Sequence, residues 1–276
     1  MLGLPVAKEL IRSGHDVTMF ARDVDKMHKL FPANTITKGS VFDKESLLHA
    51  LTGEEAVYLN LSITQTSGKN DLQPEREGVR NIVEAAKEKG IKRIVYLSSL
   101  VKNYQGMNGF NWWAFDIKQK AVDAIKASGI NYTIFYPSTF METFPYQLMR
   151  GTRIMMLGRS VAPMWFIAAE DYARQVARSF EIAANTNKEY IIQGPEPFTF
   201  DEAAKIMIES YKKGKLKTLR APIGLVRLFG NFSNKINYGV HICEALNNYP
   251  EKFETEAAWN ELGKPQISLK QYASSF

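Results

Sequence analysis

Between Leu4 and Pro137 short β-rich runs alternate with helix-length amphipathic stretches, and that alternation constrains the fold more than any other feature of the chain. The runs fall at 17–20, 35–37, 56–61, 93–97 and 132–136. Strands that follow one another antiparallel can be joined by a tight hairpin, whereas parallel strands need a crossover of about a dozen residues or more, usually a helix. The stretches between the runs have that length and carry helix punctuation. Val6, Leu10 and Ile11 form one apolar face closed by Ser13-Gly14, and Asp23 opens a second helix. Asp43-Lys44-Glu45 opens a third with an acidic first turn. Further helices run over 76–89, ended by Gly90, and over 115–128, while Pro137 stops the last strand. The expected fold is α/β, a doubly wound parallel sheet covered by helices on both faces.

Beyond Pro137 the alternation loosens. Short strands are expected at 153–156, 165–168 and 190–192, a helix capped by Asp171 runs to about residue 183, and Thr199 and Glu202 stand at capping-box spacing before a helix over 199–212. Residues 1–137 read as a nucleotide-binding core, and residues 138–276 as the half that completes the sheet and forms a substrate region, within one structural unit.

No apolar run reaches the length of a membrane span, and the N-terminus lacks the basic, apolar and cleavage regions of a signal peptide. One cysteine, Cys243, excludes an internal disulfide framework, and four histidines show no ligand spacing. A metal site, membrane insertion and an oxidising compartment are therefore not expected; a cytoplasmic location is. The net charge of +6 concentrates in Lys87-Glu88-Lys89-Gly90-Ile91-Lys92-Arg93 and Lys212-Lys213-Gly214-Lys215, around glycines that end helices. Cations there complement the helix dipole, so the charge reads as solvated surface rather than a nucleic-acid footprint. The expected partner is a small molecule, and nothing in the sequence fixes an oligomeric state.

The opening Met1-Leu2-Gly3-Leu4-Pro5-Val6 reads as the end of a dinucleotide fingerprint, in which a strand, a glycine turn and a helix N-terminus approach the pyrophosphate. Only Gly3 and the helix are present, so the expectation is a sheet lacking its first strand and a shortened N-terminus. Arg22, after the second β-rich run, occupies the place where a basic residue accommodates the 2′-phosphate of NADP, with Lys26 one turn onward as support. The alternative is a solvated Arg beside an Asp23 cap.

Five segments carry a resemblance. Residues 3–22, Gly39-Ser40-Val41-Phe42-Asp43, residues 77–86, Lys92-Arg93-Ile94-Val95-Tyr96-Leu97-Ser98-Ser99 and residues 128–137 are similar to the NmrA-like branch of atypical short-chain dehydrogenase/reductases. The resemblance implies a Rossmann domain with a small C-terminal substrate region, NAD(P)(H) binding with NADP(H) preferred, and hydride transfer. It places Gly3 in the glycine-rich loop and Arg22 at the NADP-type position. The usual Gly-Asp near the adenine reads Gly39-Ser40, which brings Phe42 or Asp43 into question as its substitute. Asn60, Leu61 and Ser62 match the segment that passes the dinucleotide, and Ser98 and Ser99 the floor near the nicotinamide; plain strand-end polarity is the other reading.

The family's Tyr-x-x-x-Lys pair does not carry over. Its register reads Phe115 and Gln119, and Lys118 stands one residue off, about 100° around the helix. Lys118 is thus the catalytic candidate, and the accompanying Ser or Thr falls on Leu100 or shifts to Ser99. Without the pair, a quinone or a similar electron-poor acceptor, which can draw its proton from water, fits better than an alcohol. Tyr104, Trp112, Trp113, Phe140, Met141 and Phe144 lie on the loops that would border an apolar acceptor, or else pack those loops onto the core. The functions in view are an NAD(P)H-dependent oxidoreductase, a noncatalytic NAD(P)-sensing regulator and, third, a structural role beside a membrane redox complex.

Overall fold

The computed structural model describes residues 2–182 and 186–275. The first half runs α1 (Gly3–Arg12), β1 (Met19–Ala21), α2 (Val24–Leu30), β2 (Ile36–Lys38), α3 (Lys44–Ala50), β3 (Ala56–Leu59), a π-helical turn at Pro74–Gly78, α4 (Val79–Lys89), β4 (Arg93–Leu97), α5 (Trp113–Lys126) and β5 (Asn131–Pro137). The second half adds β6 (Met149–Arg150), β7 (Arg153–Leu157), β8 (Met164–Trp165), α6 (Ala169–Ile182), β9 (Lys188–Ile192), β10 (Pro197–Phe198), α7 (Phe200–Ser210), β11 (Lys217–Ala221), α8 (Ile223–Gly230), α9 (Asn234–Asn248), α10 (Glu256–Leu262) and α11 (Leu269–Ser275).

The main sheet has the order β3-β4-β5-β9, all parallel, with Val95 opposite Thr133 and Phe135 opposite Tyr190. Strand β9 comes from the second half, so one sheet spans both halves. All five residues of β4 are buried, as a central strand covered on both faces requires. Its alternate side chains divide between two cores. Val95 and Leu97 pack with Phe135, Tyr172 and the Val6 and Leu10 face of α1, which lies on α6. Ile94 and Tyr96 pack with Leu47, Ile82, Val83 and Ile125 from α3, α4 and α5. At about 1.5–3 kcal/mol for each fully buried large apolar side chain, these two clusters dominate the stability of the first half.

Strands β1 and β2 form a separate parallel pair, and among the described residues no ladder joins β1 to β3. The two blocks are held together by side chains instead: Phe20 of β1 packs in the cluster that contains Leu59 of β3. This is the Rossmann-type arrangement expected from the alternation, with β1-β2 and β3-β4-β5-β9 as its two blocks and α1 as the first described element.

The local differences from the sequence reading have physical causes. The strand expected over 56–61 ends at Leu59. The helix expected over 76–89 begins as the π turn, where Gly78 lies so close to Val41 that a Cβ would stand 2.7 Å from its Cγ2. The strand expected over 165–168 shortens to Met164–Trp165, and Ile167 instead makes an isolated bridge to Phe140. Asp171 does not cap α6. It sits in the first turn, buried, and its two carboxylate oxygens accept the backbone N–H groups of Gln266 and Ile267, 2.9 Å each, tying the C-terminal segment to the helix. Residue 183, the expected end of that helix, lies outside the described residues. The Thr199–Glu202 capping box is present at the start of α7. A third apolar cluster, with Phe144, Ile154, Phe166, Phe200 and Met207, fills the second half, beside the small sheet β11-β7-β6.

Candidate functional site

In a parallel sheet the carboxyl ends of the strands share one edge, where ligands of such folds bind. Here that edge places Arg22 after β1, Gly39 after β2, Asn60 after β3, Ser98 after β4, Ser138 after β5 and Gln193 after β9. The first turn of α1 meets the same edge: a Cβ on Gly3 would lie 3.0 Å from Asn60 Nδ2. Residue Leu2, at the α1 N-cap, gives no side-chain cap, so the first-turn N–H groups are left for other acceptors.

Gly39 lies under the Phe20 ring, which a Cβ at this position would approach to 2.3 Å. Beyond it Ser40 donates its N–H to Ser46 Oγ and accepts from Phe42 N with its own hydroxyl. Asp43 is occupied as the N-cap of α3, accepting from Glu45 N at 3.1 Å, while the Phe42 side chain is exposed. Arg22 and Lys26 are exposed and make no side-chain hydrogen bond or ion pair with a described residue. Asp23 caps α2 through Lys26 N. Leu61 packs against the α3–α5 cluster, and Ser62 is exposed. Ser98 Oγ is buried without a hydrogen-bond partner; Ser99 is half-buried at the start of a 3-10 turn.

Phe115 is buried in an aromatic cluster, its ring centroid 5.0 Å from that of Trp112. Gln119 is engaged on the surface, accepting from Lys102 Nζ at 2.7 Å and donating to Asp123 at 2.8 Å. Lys118 points the other way, its Nζ 2.5 Å from Oε1 of Glu75, a fully buried carboxylate in the π turn. The same oxygen accepts from Tyr96 OH at 3.0 Å, and Oε2 has no partner. Burial, with the Glu75 charge beside it, holds the Tyr96 hydroxyl well above the usual tyrosine range. The Glu75–Lys118–Tyr96 group was missed from sequence, because Pro74-Glu75 reads as an ordinary acidic helix start.

A second unforeseen group lies at the ends of β5 and β9. Glu251 accepts from Ser138 Oγ at 2.8 Å and from Gln193 Nε2 at 2.6 Å, and burial pushes its carboxyl up to about 7. Glu142, after β5, accepts from Ala169 N at 3.0 Å and is raised to about 7 for the same reason.

Of the residues expected to border an acceptor, Tyr104 and Trp112 are buried with Phe110, Phe115 and Tyr249, and Trp112 stacks on His241. Phe140 packs on Tyr172, while Met141 and Phe144 belong to the third cluster. Trp113 alone of the six is only half-buried. The loop at 109–111 and the α8–α9 pair enclose a cleft of about 320 Å³ whose lining includes Phe110, Arg227, Asn237, His241 and Glu244. Among the described residues no group of three or more His, Cys, Asp or Glu could hold a metal, and no helix is long and apolar enough to cross a membrane.

The sequence of residues 1–181 matches the family described as NAD(P)H-binding. The chain belongs to that family. Agroclavine dehydrogenase of Claviceps fusiformis is 29% identical over 143 residues, 50% of this chain and 46% of that protein, so the chain matches about half of that relative's length. The photosystem II assembly factor Ycf39 of Synechocystis is 22% identical over 251 residues, 89% of this chain and 75% of that protein. Among solved structures, the NADPH-dependent quinone oxidoreductase of Escherichia coli in complex with NADPH superposes with a TM-score of 0.72 at 19% identity, over 100% of this chain and 96% of that one. That likeness is one of fold. As a member of the NAD(P)H-binding family, the protein has residues that suit a dinucleotide: an uncapped helix start, a glycine there against Asn60, and an orphaned buried hydroxyl at Ser98.

Proposed function

We propose that this NAD(P)H-binding protein is an oxidoreductase that prefers NADPH and reduces a small apolar or quinone-like acceptor. The observation that carries the reading is the state of α5. Phe115, at the register of the usual tyrosine, has no proton to give, and Lys118 is committed to Glu75, so the acceptor must be one that takes its proton from water. Gly3 and the first turn of α1 would hold the pyrophosphate. Arg22, with Lys26, would hold the 2′-phosphate. Phe42 and Asp43 would border the adenine, Asn60, Leu61 and Ser62 would pass along the dinucleotide, and Ser98 and Ser99 would lie beneath the nicotinamide. When bound, the cofactor supplies a hydride. Trp113, half-buried at the start of α5, is the most accessible of the six residues expected to border an acceptor.

A noncatalytic NAD(P)-sensing role is the second reading. It is supported by the same engaged Lys118 and by the similarity to an assembly factor along most of the chain. NADPH consumption across a panel of quinones decides between them. Turnover with at least one quinone is expected; tight NADPH binding with no turnover on any of them would favour the sensor.

A further inference from the structure

Of the chain's 35 Lys and Arg, seven fall in residues 210–243, which contain none of its 29 Asp and Glu. Without that segment the chain would carry a net charge of −1 in place of +6. The segment comprises β11, at the edge of its sheet, then α8 and the start of α9. Apart from Arg227, helix α8 is apolar on both sides. Ile223 and Val226 are half-buried, and α8 packs on α9. Leu225, Leu228 and Phe229 of α8 and Phe232, in the turn that follows it, are 56%, 65%, 56% and 89% exposed. Four large apolar side chains so close together in solvent make a patch rather than scattered exposure. Arg220 and Arg227 are held by Asp201 and Glu244, but Lys212, Lys215, Lys217 and Lys235 are exposed and make no ion pair with a described residue.

We propose that α8 and its flanking lysines dock this protein on an anionic lipid bilayer surface, with the Leu225, Leu228, Phe229 and Phe232 stripe in the acyl boundary and the lysines among the headgroups. An apolar face bordered by cations, with no acid in the segment, is the pattern of an interfacial helix. The stripe offers no hydrogen-bonding group to a protein partner. Two copies meeting at this face would bring like charges together. The contact is peripheral and spans nothing.

The test is sedimentation of the full chain with phosphatidylcholine vesicles, with and without an equal amount of phosphatidylglycerol, at low and high salt. Binding is expected to the anionic vesicles only and to weaken with salt. Lys215→Gln with Lys217→Gln should reduce it by about 30-fold, taking about 1 kcal/mol for each lysine near an anionic surface. Leu228→Ser with Phe232→Ser should reduce it at least about 10-fold, and because both side chains lie in solvent the melting temperature should stay at the parent's value. Failure of the parent chain to bind anionic vesicles at low salt would overturn the proposal, as would equal binding to neutral vesicles. Gel filtration adds a further check: a stable dimer that the serine variant converts to monomers would give the stripe to a second copy and likewise overturn it.

Discussion

Arg22 and Lys118 carry the same charge in opposite circumstances, and their surroundings decide what each can do. Arg22 is exposed at the carboxyl end of β1 and unpartnered among the described residues, so its guanidinium keeps its full capacity for a phosphate. Arg22→Asp should reverse the preference from NADPH to NADH, and titrating both cofactors against parent and variant checks this; tighter NADH binding by the parent would remove Arg22 from the role. Lys118 is instead the counterion of a buried carboxylate. Lys118→Ala would leave Glu75 charged, with one oxygen already unpartnered and Tyr96 as its one remaining side-chain hydrogen-bond donor. Such a loss costs about 3–5 kcal/mol. Denaturant unfolding should show it, and Glu75→Gln in the same chain should recover much of it, because the stranded charge is gone. Quinone reduction by the folded variant should persist; a drop of roughly 100-fold would instead make Lys118 a proton donor.

At the scale of elements, two glycines show which close approaches the fold tolerates. A Cβ at 39 meets the far end of the Phe20 ring, which can turn aside, whereas a Cβ at 194 would stand 1.6 Å from the Phe166 carbonyl oxygen. That carbonyl belongs to the backbone just after β8, where Gly194 N also donates to Trp165 O at 3.2 Å. Gly39→Ala should therefore cost about 1–3 kcal/mol, the usual range for overpacking. Gly194→Ala should cost more, read as the lower melting temperature of the two. The order of elements in the first half was legible because each strand and helix keeps its own apolar period: Ile94 and Tyr96 divide from Val95 and Leu97 by twos, and Val79, Ile82, Val83 and Ala86 recur by threes and fours. The π turn at 74–78 was not legible, since its fit depends on Val41 some forty residues away. Helices α8 to α11 escaped for a related reason. Helix α8 is apolar on both sides apart from Arg227, so no polar face marks it, and α10 and α11 are seven-residue pieces tied down by distant groups such as Asp171. The same limit governs the site. Strand-end residues such as Asn60 and Ser98 could be placed from the alternation, but Glu75, Glu142 and Glu251 acquire their character from burial that no local pattern announces.

In the whole molecule Glu142 and Glu251 make stability depend on pH. Glu142 joins the segment after β5 to α6, and Glu251 joins the C-terminal segment to β5 and β9. Burial raises both from the ordinary 4.5 to about 7. Between those values the folded protein keeps protons that the unfolded chain has released, so stability falls as pH rises from about 4.5 to about 7 and then levels off. A rise of that size corresponds to about 3 kcal/mol for each group. Glu77 and Glu189 act in the other direction. Hydrogen bonds and ion pairs hold them below 4.5 despite their partial burial, so their contribution is present above the ordinary value and lost as pH falls through the lowered one. The lowered carboxyls therefore weaken the fold as pH falls below the ordinary carboxylate value, and the raised ones as it rises above that value. Glu251→Gln removes one of the two titrations that weaken the fold toward neutral pH, while its carboxamide oxygen can still accept from Ser138 or Gln193. Thermal melts at pH 5 and pH 8 should therefore show a smaller loss on raising the pH in the variant than in the parent. An identical loss in both would mean that Glu251 releases its proton near the ordinary value and that its link to Ser138 and Gln193 does not sense pH.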